Sequence, residues 1–205
     1  WQNAPAGTHR VPITVTGPGG PRVIVYADVK NPEEKVTGFV ESNGYLSMEA
    51  AHYSRAVDES PVSWQTIPNL GRTLSSVMPV PVTAESKTPG GGSPRLEYDV
   101  HLFGSGDVNV RVYVSPTLNF HNNQGLRYAV SIDDAEPQIV NIHIDTSHPF
   151  WQETVRNNVN TTVSEHAVSA PGAHVLKFWM VDPGVVLQKI TVETKDIPPS
   201  YLGGR

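Results

Sequence analysis

The chain has 205 residues, 38% of them apolar, with 18 prolines, 17 glycines and a formal charge of −5. The apolar share suffices for a core and is too high for a disordered chain, and without a basic block the footprint of a nucleic-acid binder is missing. There is no cysteine, which excludes a disulfide scaffold, a Cys-ligated zinc site and a thiol nucleophile, and no apolar run approaches the ~20 residues that span a bilayer.

The N-terminus, Trp1-Gln2-Asn3, reads as though cut from a longer chain; a processed mature end would look similar. Residues 11–15 (VPITV) and 23–27 (VIVYA) are β-branched runs on either side of a Gly/Pro turn at 16–21, so they read as a hairpin with a long loop. Residues 30–35 (KNPEEK) are polar and charged and read as a linker. Short strands are expected at 44–49 and 61–66, then a flexible loop at 84–94 (AESKTPGGGSP).

The clearest signals follow. Leu96, Tyr98, Val100 and Leu102 alternate with polar residues, and so do Val108, Val110, Val112 and Val114. A period of two means strands with one face buried, and Gly104-Ser105-Gly106 between them suggests a hairpin. Residues 126–132 and 138–144 flank a polar turn at 133–137 and suggest a second hairpin. Residues 172–181 and 185–192 flank Asp182-Pro183-Gly184 and suggest a third. Residues 150–158 read as one short helix, with Pro149 suited to its first turn. Many short strands without βαβ alternation predict an all-β, antiparallel β-sandwich.

Little here suggests catalysis. His143, Asp145 and His148 form the best local cluster for an N/O metal site, against the plainer reading of a strand running into a polar loop. His101 reads as a solvated position beside Asp99, and His52, His166 and His174 as hydrogen-bonded structural residues. The carboxylate pairs Asp133/Asp134 and Glu97/Asp99 are not specified to face each other ~5–9 Å apart, as glycoside hydrolysis requires. Sugar binding needs an aromatic platform and a few planar polar groups on loops of a rigid scaffold. The candidates are Trp64, Asn119, His121, Asn122, Asn123, Trp151, Asn157 and Asn158. Core packing competes for both tryptophans.

Several long motifs occur in order: GFVESNGYLSMEAAHYSR (38–55), WQTIPNLGRTLSSVMPVP (64–81), IDDAEPQIVNIH (132–143), HVLKFWMVDPGVVLQKI (174–190) and PSYLG (199–203). Together they resemble the C-terminal domain of glycoside hydrolase family 115, the xylan α-1,2-glucuronidases. The resemblance covers 36–205 and implies a C-terminal sandwich domain there, with 1–35 similar to the tail of a preceding β-domain plus a linker. It implies a jelly-roll, galactose-binding-like fold akin to carbohydrate-binding modules of families 6 and 35. Catalytic residues of the family lie upstream of such a domain, so none carries over.

In those modules a Glu-Ala-Glu near the first strand helps hold a structural calcium. Glu49-Ala50 matches, but Ala51 replaces the second Glu, and Gln188-Lys189 stands where an acidic ligand is expected. The resemblance thus implies no required cofactor, and a structural calcium at Glu49 only in spite of these departures. The expected role is a non-catalytic accessory domain that binds xylan or glucuronic-acid-branched xylan. The alternative is a structural or dimerisation domain packed on the parent's catalytic domains. Expected partners are xylan or glucuronoxylan, those catalytic domains and a second copy, in an extracellular or periplasmic setting.

Overall fold

In the computed structural model, which describes residues 5–33, 36–198 and 200, the chain divides into two compact units, 1–36 and 37–205. The terminal residues Trp1, Gln2 and Asn3, Glu34 and Lys35 of the expected linker, and Pro199 and 201–203 of the last motif lie outside the described residues.

The first unit is the expected hairpin, with longer strands than the β-branched runs alone suggest. β1 (Gly7–Thr16) pairs antiparallel with β2 (Arg22–Asn31) along ten residues. Gly17 N–H donates to Pro21 O at 3.0 Å and closes the turn.

The second unit carries two six-stranded sheets. The first runs β11 (Gln138–Asn141), β10 (Arg127–Ile132), β13 (Gly172–Met180), β8 (Arg95–Leu102) and β3 (Phe39–Val40), with β5 (Arg55–Val57) also on β8. The second runs β12 (Asn160–Val168), β9 (Gly106–Val114), β14 (Leu187–Glu193), β7 (Ser76–Val80) and β6 (Ser63–Ile67), with β4 (Tyr45–Glu49) on β14. All pairings are antiparallel except β3 on β8. The sandwich is as expected. The alternating residues of β8 and β9 are buried together with Met48, Tyr128, Phe178 and Ile190 in one core, so burial removes the apolar face of each strand from water.

Two expected hairpins are absent. β8 and β9 lie in different sheets, and so do β13 and β14. Gly104–Gly106 and Asp182–Gly184 therefore turn the chain from one sheet to the other, and of the three hairpins expected between residues 95 and 192 only β10–β11 forms. Alternation dictates which face of a strand is buried, and two strands facing each other across a core bury their faces as well as two neighbours in one sheet do. Phe178, Trp179 and Met180 are all buried.

The helix α1 (His148–Asn157) begins two residues before the expected start. Ser147 caps it through a bond from Phe150 N–H, and Asn158 ends it in the left-handed conformation at φ 53°. Pro149 lacks an N–H that the first turn would leave unpaired anyway.

Candidate functional site

The β9–β10 connection and the β11–α1 connection meet at one end of the sandwich against α1. Between them lies a cavity of about 330 Å³. Its wall includes Leu118, Phe150 and Trp151 on the apolar side and Asn119, Asn123, His143, Asp145 and Asn160 on the polar side.

The rim is built by side chains bonding backbone. His143 Nδ1 accepts from Leu126 N–H at 3.0 Å, so Nε2 carries the proton and donates to Thr117 O at 2.7 Å. Both nitrogens are used and the ring is neutral in this arrangement. Asn141 Nδ2 donates to Gln124 O at 2.8 Å and its Oδ1 accepts from His143 N–H at 2.8 Å. Gly125 passes close by at φ +127°, and a Cβ there would stand 2.3 Å from Asn141 Oδ1. Asn119 Nδ2 donates to Asn123 O at 2.7 Å, while Asn123 Oδ1 accepts from Gly125 N–H at 3.1 Å. Asn160 Nδ2 donates to Ile142 O at 2.8 Å.

Two acceptors are left over. Asn119 Oδ1 and Asn160 Oδ1 are buried and have no protein partner, and Asn160 as a whole is only 6% exposed. An unmade bond of this kind costs about 1–3 kcal/mol. Asp145 Oδ1 accepts from Ser147 N–H at 2.8 Å, and that bond holds its carboxyl below the usual carboxylate range.

The sequence candidates divide. Asn119, Asn123 and Trp151 line this cavity. His121 instead bonds Pro183 O at 3.1 Å, and Asn122 serves the turn at φ 51°. Asn157 and Asn158 close α1, and Asn158 O accepts from Gln188 Nε2 at 2.8 Å. Trp64 is not on a loop. It lies in β6, its Nε1–H donates to Val57 O at 3.1 Å, and its ring meets Phe178 edge-on at 6.2 Å. Pro61-Val62-Ser63 before it already read as a strand, and an indole with a ready backbone acceptor packs well at a core margin.

His143, Asp145 and His148 do not assemble a metal site: no group of three or more His, Asp or Glu side chains among the described residues could hold one, and the His143 nitrogens are committed to backbone. His143 and Asn160 were not among the sugar candidates; their part in the cavity follows from which loops meet.

Glu49 lies on β4 directly opposite Lys189 of β14. Lys189 Nζ stands 3.0 Å from Glu49 Oε1, and the Thr73 hydroxyl donates to the same carboxylate at 2.6–2.7 Å. Calcium takes about six to eight oxygen ligands. One carboxylate already facing an ammonium does not fit that ion. Gln188, the other departure, accepts from Arg72 N–H at 3.2 Å and donates to Ser115 Oγ at 2.9 Å.

A second cavity, of about 420 Å³, is lined by Arg72, Arg111, Tyr113 and Glu193. Arg111 forms a two-point pair with Glu193, at 2.7 and 3.1 Å.

The model of the glycosyl hydrolase family 115 C-terminal domain matches residues 38–205. No curated protein matches the chain. Among solved structures, a family GH115 4-O-methyl-α-glucuronidase with specificity for decorated arabinogalactans is similar at TM-score 0.59 and 18% identity, over 82% of this chain and 20% of that one. The Podospora anserina GH26-CBM35 β-(1,4)-mannanase follows at 0.49 and 10%, over 77% and 29%. A family 35 carbohydrate-binding module from Clostridium thermocellum follows at 0.48 and 14%, over 72% and 97%. The chain spans about a fifth of the glucuronidase's length, and at this identity the likeness speaks for the shared fold.

Proposed function

This chain belongs to the glycosyl hydrolase family 115 C-terminal domain family, and on that premise we propose that it is a non-catalytic accessory domain of a xylan α-1,2-(4-O-methyl)glucuronidase that holds polysaccharide in the cavity beside α1. The observation that carries this reading is the cavity itself, which brings the rings of Trp151 and Phe150 together with Asn119, Asn123, Asn160 and Asp145. Rings for a sugar face together with acceptors for its hydroxyls are what a carbohydrate site needs. The cavity volume lies within the ~300–1,000 Å³ of small-molecule sites.

A catalytic role has less support. Asp145 is the one carboxylate lining the cavity among the described residues, whereas hydrolysis of a glycoside uses two across the scissile bond. His143, the one imidazole there, has both nitrogens committed to backbone, so it offers no free base.

Isothermal titration of the whole chain against glucuronoxylan, debranched xylan and arabinogalactan tests the reading. Heat is expected from at least one polymer, with affinity reduced about 10-fold or more by Trp151→Ala, the loss of a single stacking platform. If the folded chain gives no heat with all three, the sugar-binding reading is wrong and an architectural role, packing on catalytic domains or pairing two copies, takes its place.

A further inference from the structure

We propose that the cavity beside α1 accepts neutral sugar units, such as xylose or galactose residues, and rejects the glucuronate branches on which a glucuronidase acts. This rests on the sugar-binding reading above and names the ligand class.

The argument is a charge inventory. No Lys or Arg lines the cavity among the described residues, and Asp145 is its one charged side chain. His143 adds no positive charge while Leu126 N–H donates to its Nδ1. A uronate carboxylate would find no cation and would approach an existing carboxylate, which disfavours it.

The positive end of α1 is the remaining attraction for an anion, and positions 149–151 of its first turn offer no spare donor. Pro149 has no N–H, Phe150 N–H goes to Ser147 Oγ and Trp151 N–H goes to Ser147 O. Asp145, bonded to Ser147 N–H, already places an anion there. The side-chain oxygens of the lining residues Asn119, Asn123, Asn160 and Asp145 are acceptors. A sugar hydroxyl donates; an ionised carboxylate does not.

The arginines of the 420 Å³ cavity lie elsewhere, and Arg111 there is bonded to Glu193. The site thus suits undecorated stretches of polymer, leaving the charged branches free for other domains.

The test is amide chemical-shift mapping of the whole chain with xylotriose, galactobiose and sodium glucuronate, each in turn. Shifts at Trp151, His143 and Asn160 are expected with one or both neutral sugars and not with glucuronate at equal concentration. Asp145→Asn should narrow the preference for neutral over acidic ligand by about 3–10-fold, because it removes a solvent-screened like charge. Glucuronate shifting these residues as strongly as a neutral sugar would overturn the inference while leaving the sugar site standing. No shift at these residues with any ligand would overturn the site and the inference together.

Discussion

Lys189→Met tests whether an ammonium does the work of a metal at Glu49. The change keeps most of the aliphatic stem and removes a charge 3.0 Å from Glu49 Oε1. The two side chains are 9% and 17% exposed, so the screening that reduces surface pairs to ~0–1 kcal/mol applies only weakly. Breaking a buried pair by removing one partner costs about 3–5 kcal/mol. Thr73 still donates to the abandoned carboxylate, which puts the expected loss near the lower end, about 3 kcal/mol. In a domain of this size 1 kcal/mol moves Tm by about 2–4 °C, so the drop is about 6–12 °C. Thermal unfolding followed by circular dichroism, with and without EDTA and with added calcium, reads it. Wild type should melt at the same temperature in all three buffers. The double variant Lys189→Met/Glu49→Gln should recover part of the loss, since neither charge is then left alone. The reasoning fails if EDTA lowers the wild-type Tm by several degrees and calcium restores it, or if Lys189→Met melts within about 1 °C of wild type.

One further outcome concerns a buried ion pair and another the cavity rim. The Asp182 side chain is fully buried and bonds Arg127 at 2.8 and 3.1 Å and Ser86 Oγ at 2.6 Å. Burial by itself raises its pKa, but the Arg127 and Ser86 bonds and the Arg127 charge outweigh that and leave it below the ordinary value. Its contribution to stability is therefore present above the unfolded-state pKa of about 3.9 and is lost as pH falls through the lower folded value. A Tm profile from pH 7 to 2.5 should decline more steeply in wild type than in Asp182→Asn, and equal slopes would refute the assignment. Gly125→Ala should cost about 2–3 kcal/mol, because it forces a strained φ and drives a Cβ onto Asn141, the residue that ties Gln124 to His143. Titration of that variant should show weaker sugar binding, and an unchanged affinity would detach the rim from the site.

Much of this architecture was legible because its signals are local. The alternation Leu96-Tyr98-Val100-Leu102 depends only on the strand's own pleat, and the same holds for Val108 to Val114. Asn119 and Asn123 stand out by side-chain chemistry and loop setting, whereas Trp151 lines the cavity from α1. Trp64 could not be placed this way, because the Val57 carbonyl and the Phe178 ring that hold it come from other strands. The departures at Ala51 and Lys189 were visible as letters, but the register that sets Lys189 against Glu49 belongs to the β4–β14 pairing.

The sequence by itself determined which residues avoid water, where the chain turns and which family motifs it carries, since each depends on neighbours a few positions away. Tertiary structure alone decided that β8 and β9 part into different sheets, that His143 and Asn160 join Asn119 around one cavity, and that Lys189 meets Glu49. Burial satisfies an apolar face whichever partner covers it, so pairing and the sites it assembles are settled by the packing of the whole domain.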